Sequence, residues 1–209
     1  MSLKANFNKN NKFEAGCDEV GRGCLAGPVV ASAVILPTNF SHPYLTDSKK
    51  LSAKKRAELV DVIKKESIAW AIAECSPEEI DQVNILKASF WAMHKALDQL
   101  KQKPDFLLVD GNRFTPYPEI PHECVIKGDS KYFSIAAASI LAKEYRDNLM
   151  RDLAEIHPHY GWERNVGYPT KQHRAGIQKF GATEHHRKSF QLLPRQLEIF
   201  EKEHKEISS

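Results

Sequence analysis

The stretch Ala15–Leu36, "AGCDEVGRGCLAGPVVASAVIL", holds an acidic pair and an arginine between two runs that read as buried strand. Apolar residues lead up to Asp18-Glu19, the turn Gly21-Arg22-Gly23 follows, and a second apolar run from Val29 closes at Pro37. Phe13–Cys17 and Val29–Leu36 are therefore expected to be strands joined by a glycine-rich turn.

The chain beyond them extends the same sheet. Ser52 caps a helix reaching about Glu66, and Ile68–Ala73 is a third strand. Ser76-Pro77-Glu78-Glu79 is a capping box with proline at the first helical position, and it opens one long helix. Along that helix Val83, Leu86, Phe90, Met93, Leu97 and Leu100 recur at steps of three and four, a stripe assigned to core packing and to no chemistry. A fourth strand, Phe106–Val109, ends at Asp110-Gly111, and a fifth spans Glu123–Ile126. A helix from about Ser130 to Glu155 carries the small run Ile135–Ala138, suited to close packing on a sheet. The expected architecture is α/β: a five-stranded mixed sheet flanked by helices, with a C-terminal helical extension. Residues 1–155 form the expected core and 156–209 a C-terminal segment of the same globular unit.

A chain of 209 residues, 42% hydrophobic, fills one core, and a net charge of +3 does not by itself announce a polyanion partner. The charge is unevenly spread. Between His157 and Lys188 six Lys/Arg stand against Glu163 and Glu184, a local cationic face suited to phosphates. The four cysteines form no CxxC pair, which leaves neither a disulfide framework nor a structural zinc spacing and favours a reduced, cytoplasmic setting. The pairs His157-x-His159 and His185-His186 lack a cysteine at a zinc spacing, which argues against structural zinc, and packing or phosphate contact is the plainer reading of His185 and His186. No apolar run is long enough to cross a bilayer, and the first dozen residues lack the apolar stretch of a signal peptide.

Asp18, Asp110 and Asp129 each fall at the end of an element, so the acids can converge. Adjacent strand residues point to opposite faces, and Asp18 and Glu19 share a site only if the strand breaks between them, which Gly21 and Gly23 make easy. A carboxylate cluster repels itself unless cations fill it, and oxygen donors suit magnesium or manganese. Two such ions about 4 Å apart activate a water and stabilise the leaving oxygen of a phosphodiester. Carboxylates at strand ends also serve as caps and turn formers, and spacing alone leaves both readings open.

Five further motifs carry a resemblance. "DEVGRG" at Asp18–Gly23, "LTDSKKLS" at Leu45–Ser52, "VDGN" at Val109–Asn112, "KGDSKYFSIAAASILAKEYRD" at Lys127–Asp147, and "NVGYPTKQH" with "GATEHHRKSF" at Asn165–His173 and Gly181–Phe190 follow one order. In that order the chain resembles the type 2 ribonuclease H family, ribonuclease HII, in its bacterial form. The resemblance implies a ribonuclease H-like fold and metal-dependent cleavage of RNA in RNA/DNA hybrids. It also implies cutting 5′ of single ribonucleotides embedded in duplex DNA, giving 3′-hydroxyl and 5′-phosphate ends in ribonucleotide excision repair. It assigns the metal ions, Mg2+ or Mn2+, to Asp18, Glu19, Asp110 and Asp129. Gly21-Arg22-Gly23 would read the 2′-hydroxyl and Tyr168 would stack on the following deoxyribose. Lys49, Lys50, Lys143, Lys171 and Arg187 are candidate phosphate contacts, with solvated surface or helix positions as the alternative for the lysines. Gln196-Leu197-Glu198-Ile199-Phe200 resembles a sliding-clamp docking peptide, or else forms an amphipathic final helix. A monomer is the family expectation.

The match departs from the family at Val166, where a basic or polar residue is usual, and in the ending "KEYRD". Two rivals remain: a type 3 ribonuclease H, which carries an added N-terminal domain that the dozen residues before Phe13 would not hold, and a silent binding module, against which the full set of acids argues.

Overall fold

The computed structural model describes residues 3–8, 11–45 and 51–194. Its five strands are β1 (Glu14–Val20), β2 (Val29–Ile35), β3 (Ala69–Cys75), β4 (Phe106–Asp110) and β5 (His122–Val125), ordered β3-β2-β1-β4-β5. β1 pairs antiparallel with β2 and parallel with β4, so the sheet is mixed, as expected. All seven residues of β2 are buried, which is why its sequence is a continuous apolar run rather than an alternating one.

Among the described residues there are six α-helices: α1 (Ala53–Glu66), α2 (Pro77–Val83), α3 (Ile85–Asp98), α4 (Phe133–Ile156), α5 (Trp162–Asn165) and α6 (Lys171–Phe180). α3 lays Ala88, Ala92, Met93 and Ala96 on the face of the sheet that presents Ala15, Cys17, Ala31 and Val109. α4 and α1 cover the other face, where Ala136, Ala137, Ile140 and Leu141 meet Val34, Leu59 and Ile63. The small residues of α4 let its backbone approach β1 so closely that a Cβ added at Gly16 would overlap the backbone of Ser134 and Ile135.

Two expectations need correction. β1 does not end at Cys17 or break after Asp18; its ladder with β2 continues through Asp18↔Ser32, Glu19↔Ala31 and Val20↔Val30. The capping-box helix is not continuous either. Ser76 accepts from the Glu79 amide at 3.2 Å and Glu79 returns the bond at 2.8 Å, but the helix stops after Val83. Asn84, at φ 75°, takes a left-handed turn and caps α3 by accepting from the Leu86 and Lys87 amides at 3.0 and 3.1 Å. Asn tolerates positive φ and competes for amide donors, so it can end one helix and begin the next. The break also re-aims the stripe: Ala88, Ala92 and Ala96 are buried, while Leu86 and Phe90 are only partly so.

The segment after α4 is knitted onto the loop between β1 and β2. Leu25 and Ala26 share a core with Met150, Tyr160, Trp162 and Ile177. Backbone bonds from Leu25 N to Gly167 O, Gly27 N to His185 O and Arg187 N to Leu25 O, each 2.8 Å, tie the same pieces.

Candidate active site

Register places the first two acids. Cys17 pairs with Val109 across the parallel ladder, so Asp18 and Asp110 are the next residues on adjacent strands and share a face. Asp18 is buried; its Oδ1 accepts from the Glu19 amide at 2.7 Å and its carboxyl is hydrogen-bonded by Ser139 of α4. Burial first, then the charges of Glu19 and Asp110, push the Asp18 carboxyl well above the usual range. Burial does the same to Glu19, offset by Arg22, whose Nη1 lies 3.3 Å from Glu19 Oε1. Asp110 Oδ1 accepts from the Gly128 amide at 2.7 Å, and that bond seats the 3-10 turn Gly128–Ser130, which carries the buried Asp129 beside the strand ends.

Alternation along an unbroken β1 sends Asp18 and Glu19 to opposite faces, yet the charges of Asp18, Glu19 and Asp110 act on one another because β4 ends at Asp110. A cleft of about 310 Å³ opens there, lined by Glu19, Arg22, Asp110, Asn112 and Arg113, with Leu86 and Phe90 as its apolar wall. Leu86 and Phe90 thus border the acids, a role the stripe reading did not give them. Their partial burial follows from the Asn84 break, and that asparagine was the available signal. The donor set is all oxygen, and two of its carboxyls are destabilised as anions, so the residues fit a hard divalent cation.

Beside the acids the glycine turn and Tyr168 meet. A Cβ built at Gly23 would lie 3.7 Å from Tyr168 Cε1. Tyr168 is 40% exposed, its hydroxyl hydrogen-bonded with the Cys24 thiol and its carbonyl accepting from His173 Nδ1 at 3.0 Å. The rest of that network is determined by the donors. Trp162 Nε1 donates to His173 Nε2 at 2.9 Å, and the Thr183 amide donates to His186 Nδ1 at 2.9 Å, leaving His186 Nε2–H to donate to His173 Nε2 at 3.1 Å. Both rings are neutral in this arrangement. Burial, then the facing His173, holds His186 down to about 4, and burial lowers His173 as well. A buried histidine with a depressed value contributes stability that is full above its unfolded value near 6.5 and is lost as pH falls toward 4. Chemical denaturation across that window is expected to show a loss of about 3 kcal/mol from His186, and a shallower fall in His186→Gln.

Arg187 does not reach the surface. It is fully buried, donating from Nε to Gly27 O and from Nη1 to Arg22 O at 3.0 Å each, so it braces the glycine turn instead of meeting phosphate. Lys143 is engaged with Asp147 at 2.7 Å, whereas Lys171 is exposed at the start of α6. Lys49, Lys50 and the segment Gln196–Phe200 lie outside the described residues. The residue the sequence reading missed is Arg146. It too is fully buried, and it donates to Pro28 O at 2.9 Å, Val166 O at 2.8 Å and Ala26 O at 2.9 Å. Gly21, at φ 95°, leaves no room for a Cβ against that guanidinium. Its signal was the helical stripe Ala138, Ala142, Arg146, Met150, where one cation interrupts a buried line.

Val166 closes α5 at φ 42°, a left-handed position that a β-branched residue adopts at a cost of about 1–2 kcal/mol. Val166→Asn is expected to raise stability by about 1 kcal/mol in a denaturant titration, net of its partial packing.

This strand order, with Asp18 and Asp110 side by side on two adjacent parallel strands, defines an α/β protein of the ribonuclease H-like fold. The ribonuclease H2 from Pyrococcus horikoshii superimposes with a TM-score of 0.73 at 24% identity, covering 86% of this chain and 94% of that one. The ribonuclease HII in the PCNA:RNase HII complex from Archaeoglobus fulgidus gives 0.68 at 26%, over 88% and 98%. The family model for ribonuclease HII matches residues 15–193, and a ribonuclease HII of Parabacteroides distasonis is 61% identical over 193 residues, 92% of this chain and 97% of that protein. The chain belongs to the ribonuclease HII family. It is an endoribonuclease, a hydrolase of RNA in RNA/DNA hybrids, and the oxygen donors at its strand ends fit the divalent-metal dependence expected of that family.

Proposed function

We propose that this ribonuclease cuts 5′ of single ribonucleotides embedded in duplex DNA, leaving 3′-hydroxyl and 5′-phosphate ends, and so starts ribonucleotide excision repair and removes RNA primers. The observation that carries the reading is the placement of Tyr168, its Cε1 3.7 Å from where a Cβ on Gly23 would lie, in the turn that also holds the Arg22 partner of Glu19. Only a 2′-hydroxyl distinguishes RNA from DNA at one nucleotide, and a glycine backbone lets main-chain groups approach it. An aromatic face over the next sugar leaves no space for a second 2′-hydroxyl, which favours an RNA-to-DNA junction over uniform RNA.

Asp18, Glu19, Asp110 and Asp129 would hold two ions, Mg2+ or Mn2+. Bound there, the ions would supply a water of lowered pKa and charge stabilisation for the leaving oxygen. The protein's own groups do the positioning. Ser139 and the Glu19 amide orient Asp18, the Gly128 amide orients Asp110, and Arg22 balances Glu19 until substrate arrives. Lys171, together with Lys49 and Lys50, is proposed to hold phosphates, and Lys143, the other lysine candidate, shares its charge with Asp147. Arg146 and Arg187 are positioning residues for the 21–28 turn. The A. fulgidus complex with PCNA supports docking of Gln196–Phe200 on a sliding clamp, tested by pull-down with Leu197→Ala and Phe200→Ala chains. The enzyme is proposed to act as a cytoplasmic monomer; no helix among the described residues is long and apolar enough to cross a membrane.

Cleavage of three labelled duplexes, one with a lone ribonucleotide, one an RNA/DNA hybrid and one all DNA, tests the junction reading. Metal-dependent incision 5′ of the lone ribonucleotide is expected, with Tyr168→Ala losing this cut more than hybrid cleavage. Cutting of the hybrid alone would overturn it.

A further inference from the structure

We propose that His157, Glu184 and His185 form a transition-metal site that takes zinc, separate from the carboxylates at the strand ends. Among the described residues this is the set of three whose ligand atoms all lie within 4.8 Å of one another. The residues come from two distant pieces of chain. His157 caps the C-terminus of α4, its amide bonded to Leu153 O at 2.9 Å, and His185 is held by its carbonyl to the Gly27 amide at 2.8 Å. Their rings stand 5.2 Å apart at 68°, and His185 Nε2 is 3.6 Å from Glu184 Oε1.

Both rings pack edge-on against Trp162, at 5.7 and 6.1 Å, and two further features point to a ligand. His173 and His186 spend both ring nitrogens on protein partners, but for His157 and His185 the Glu184 contact is the one polar ring contact among the described residues. The spacing also suits the ion. Zinc–nitrogen and zinc–oxygen bonds of about 2.0–2.2 Å put neighbouring ligand atoms of a tetrahedral site roughly 3.3 Å apart, so the 3.6 Å pair needs only a small shift. Glu184, with 76% of its side chain exposed, is free to rotate inward. Two imidazoles and a carboxylate are a borderline donor set that takes zinc over magnesium, with water completing the fourth position. A bound ion would clamp the 183–187 loop to the end of α4, and that loop delivers His186 to the Tyr168 network and Arg187 to the glycine turn.

Competition of the full chain with a chromophoric chelator for Zn2+, in millimolar magnesium, tests the site. One zinc per chain is expected, retained in Asp110→Asn and weakened by about tenfold or more in His157→Gln and His185→Gln. Zinc should raise the melting temperature of the parent and not that of His185→Gln. Glu184→Gln, on an exposed side chain, reports the same weakening should a histidine variant fail to fold. Binding that survives all three substitutions, binding lost in Asp110→Asn, or no stoichiometric zinc in the parent would each overturn the proposal.

Discussion

Asp18→Asn is expected to lose turnover by about a thousandfold or more while melting at a higher temperature than the parent in chelator. The first half follows from the metal chemistry, since stabilising the attacking and leaving oxygens is worth several kcal/mol. The second follows from burial. A carboxyl raised by desolvation and by two neighbouring acids holds its proton better in the fold than in the unfolded chain, so its stability contribution declines as pH rises from the ordinary carboxylate value toward the folded one. Above the ordinary carboxylate range this carboxyl costs the fold stability, a cost that asparagine removes while keeping an oxygen for the Glu19 amide. A gain of about 1 kcal/mol corresponds to roughly 2–4 °C in a chain of this size. Magnesium should then narrow the gap, because the parent gains stability from binding and the variant gains less. Full activity in Asp18→Asn would remove it from the catalytic set; an unchanged melting temperature in chelator would mean that repulsion among the acids is relieved by other means.

Arg146→Met should be the most damaging single change away from the acids, costing about 4 kcal/mol or more in a denaturant titration. Its guanidinium satisfies three carbonyls, of Ala26, Pro28 and Val166, all at 2.8–2.9 Å. Methionine fills a similar volume but donates nothing, and each buried carbonyl left without a partner costs about 1–3 kcal/mol. The variant also separates support from chemistry. Where it folds at low temperature, cleavage of a lone ribonucleotide should fall further than cleavage of a hybrid, because the loop that loses its brace contains Gly21–Gly23 while Asp110 is held independently by Gly128. Equal loss on both substrates would assign Arg146 to stability alone.

The sheet was legible because its strands are buried runs, and the nearness of Asp18 to Asp110 was legible because each follows such an apolar run in sequence. The continuation of β1 past Asp18 was not, since it depends on pairing with Ala31 and Val30 across a turn. Asn84 looks like any polar residue on a helix until its positive φ is known. Arg187, by sequence a candidate phosphate contact, is buried instead. Its burial is a tertiary fact, made possible by backbone carbonyls about 160 positions earlier in the chain. The same holds for His157 and His185, adjacent in space and spaced in sequence like no zinc motif.

β1 lies between β2 and β4 and is hydrogen-bonded on both sides, whereas Tyr168 and the glycine turn are held by side-chain ties and loop contacts. Amide hydrogen exchange should therefore divide the enzyme into two clocks. Protons of Ala15–Cys17 leave only when the whole molecule opens, and those around Gly167 and His185 leave through smaller, more frequent openings. On the proposed roles, the surface that reads the substrate can breathe while Asp18, carried by that central strand, keeps its position.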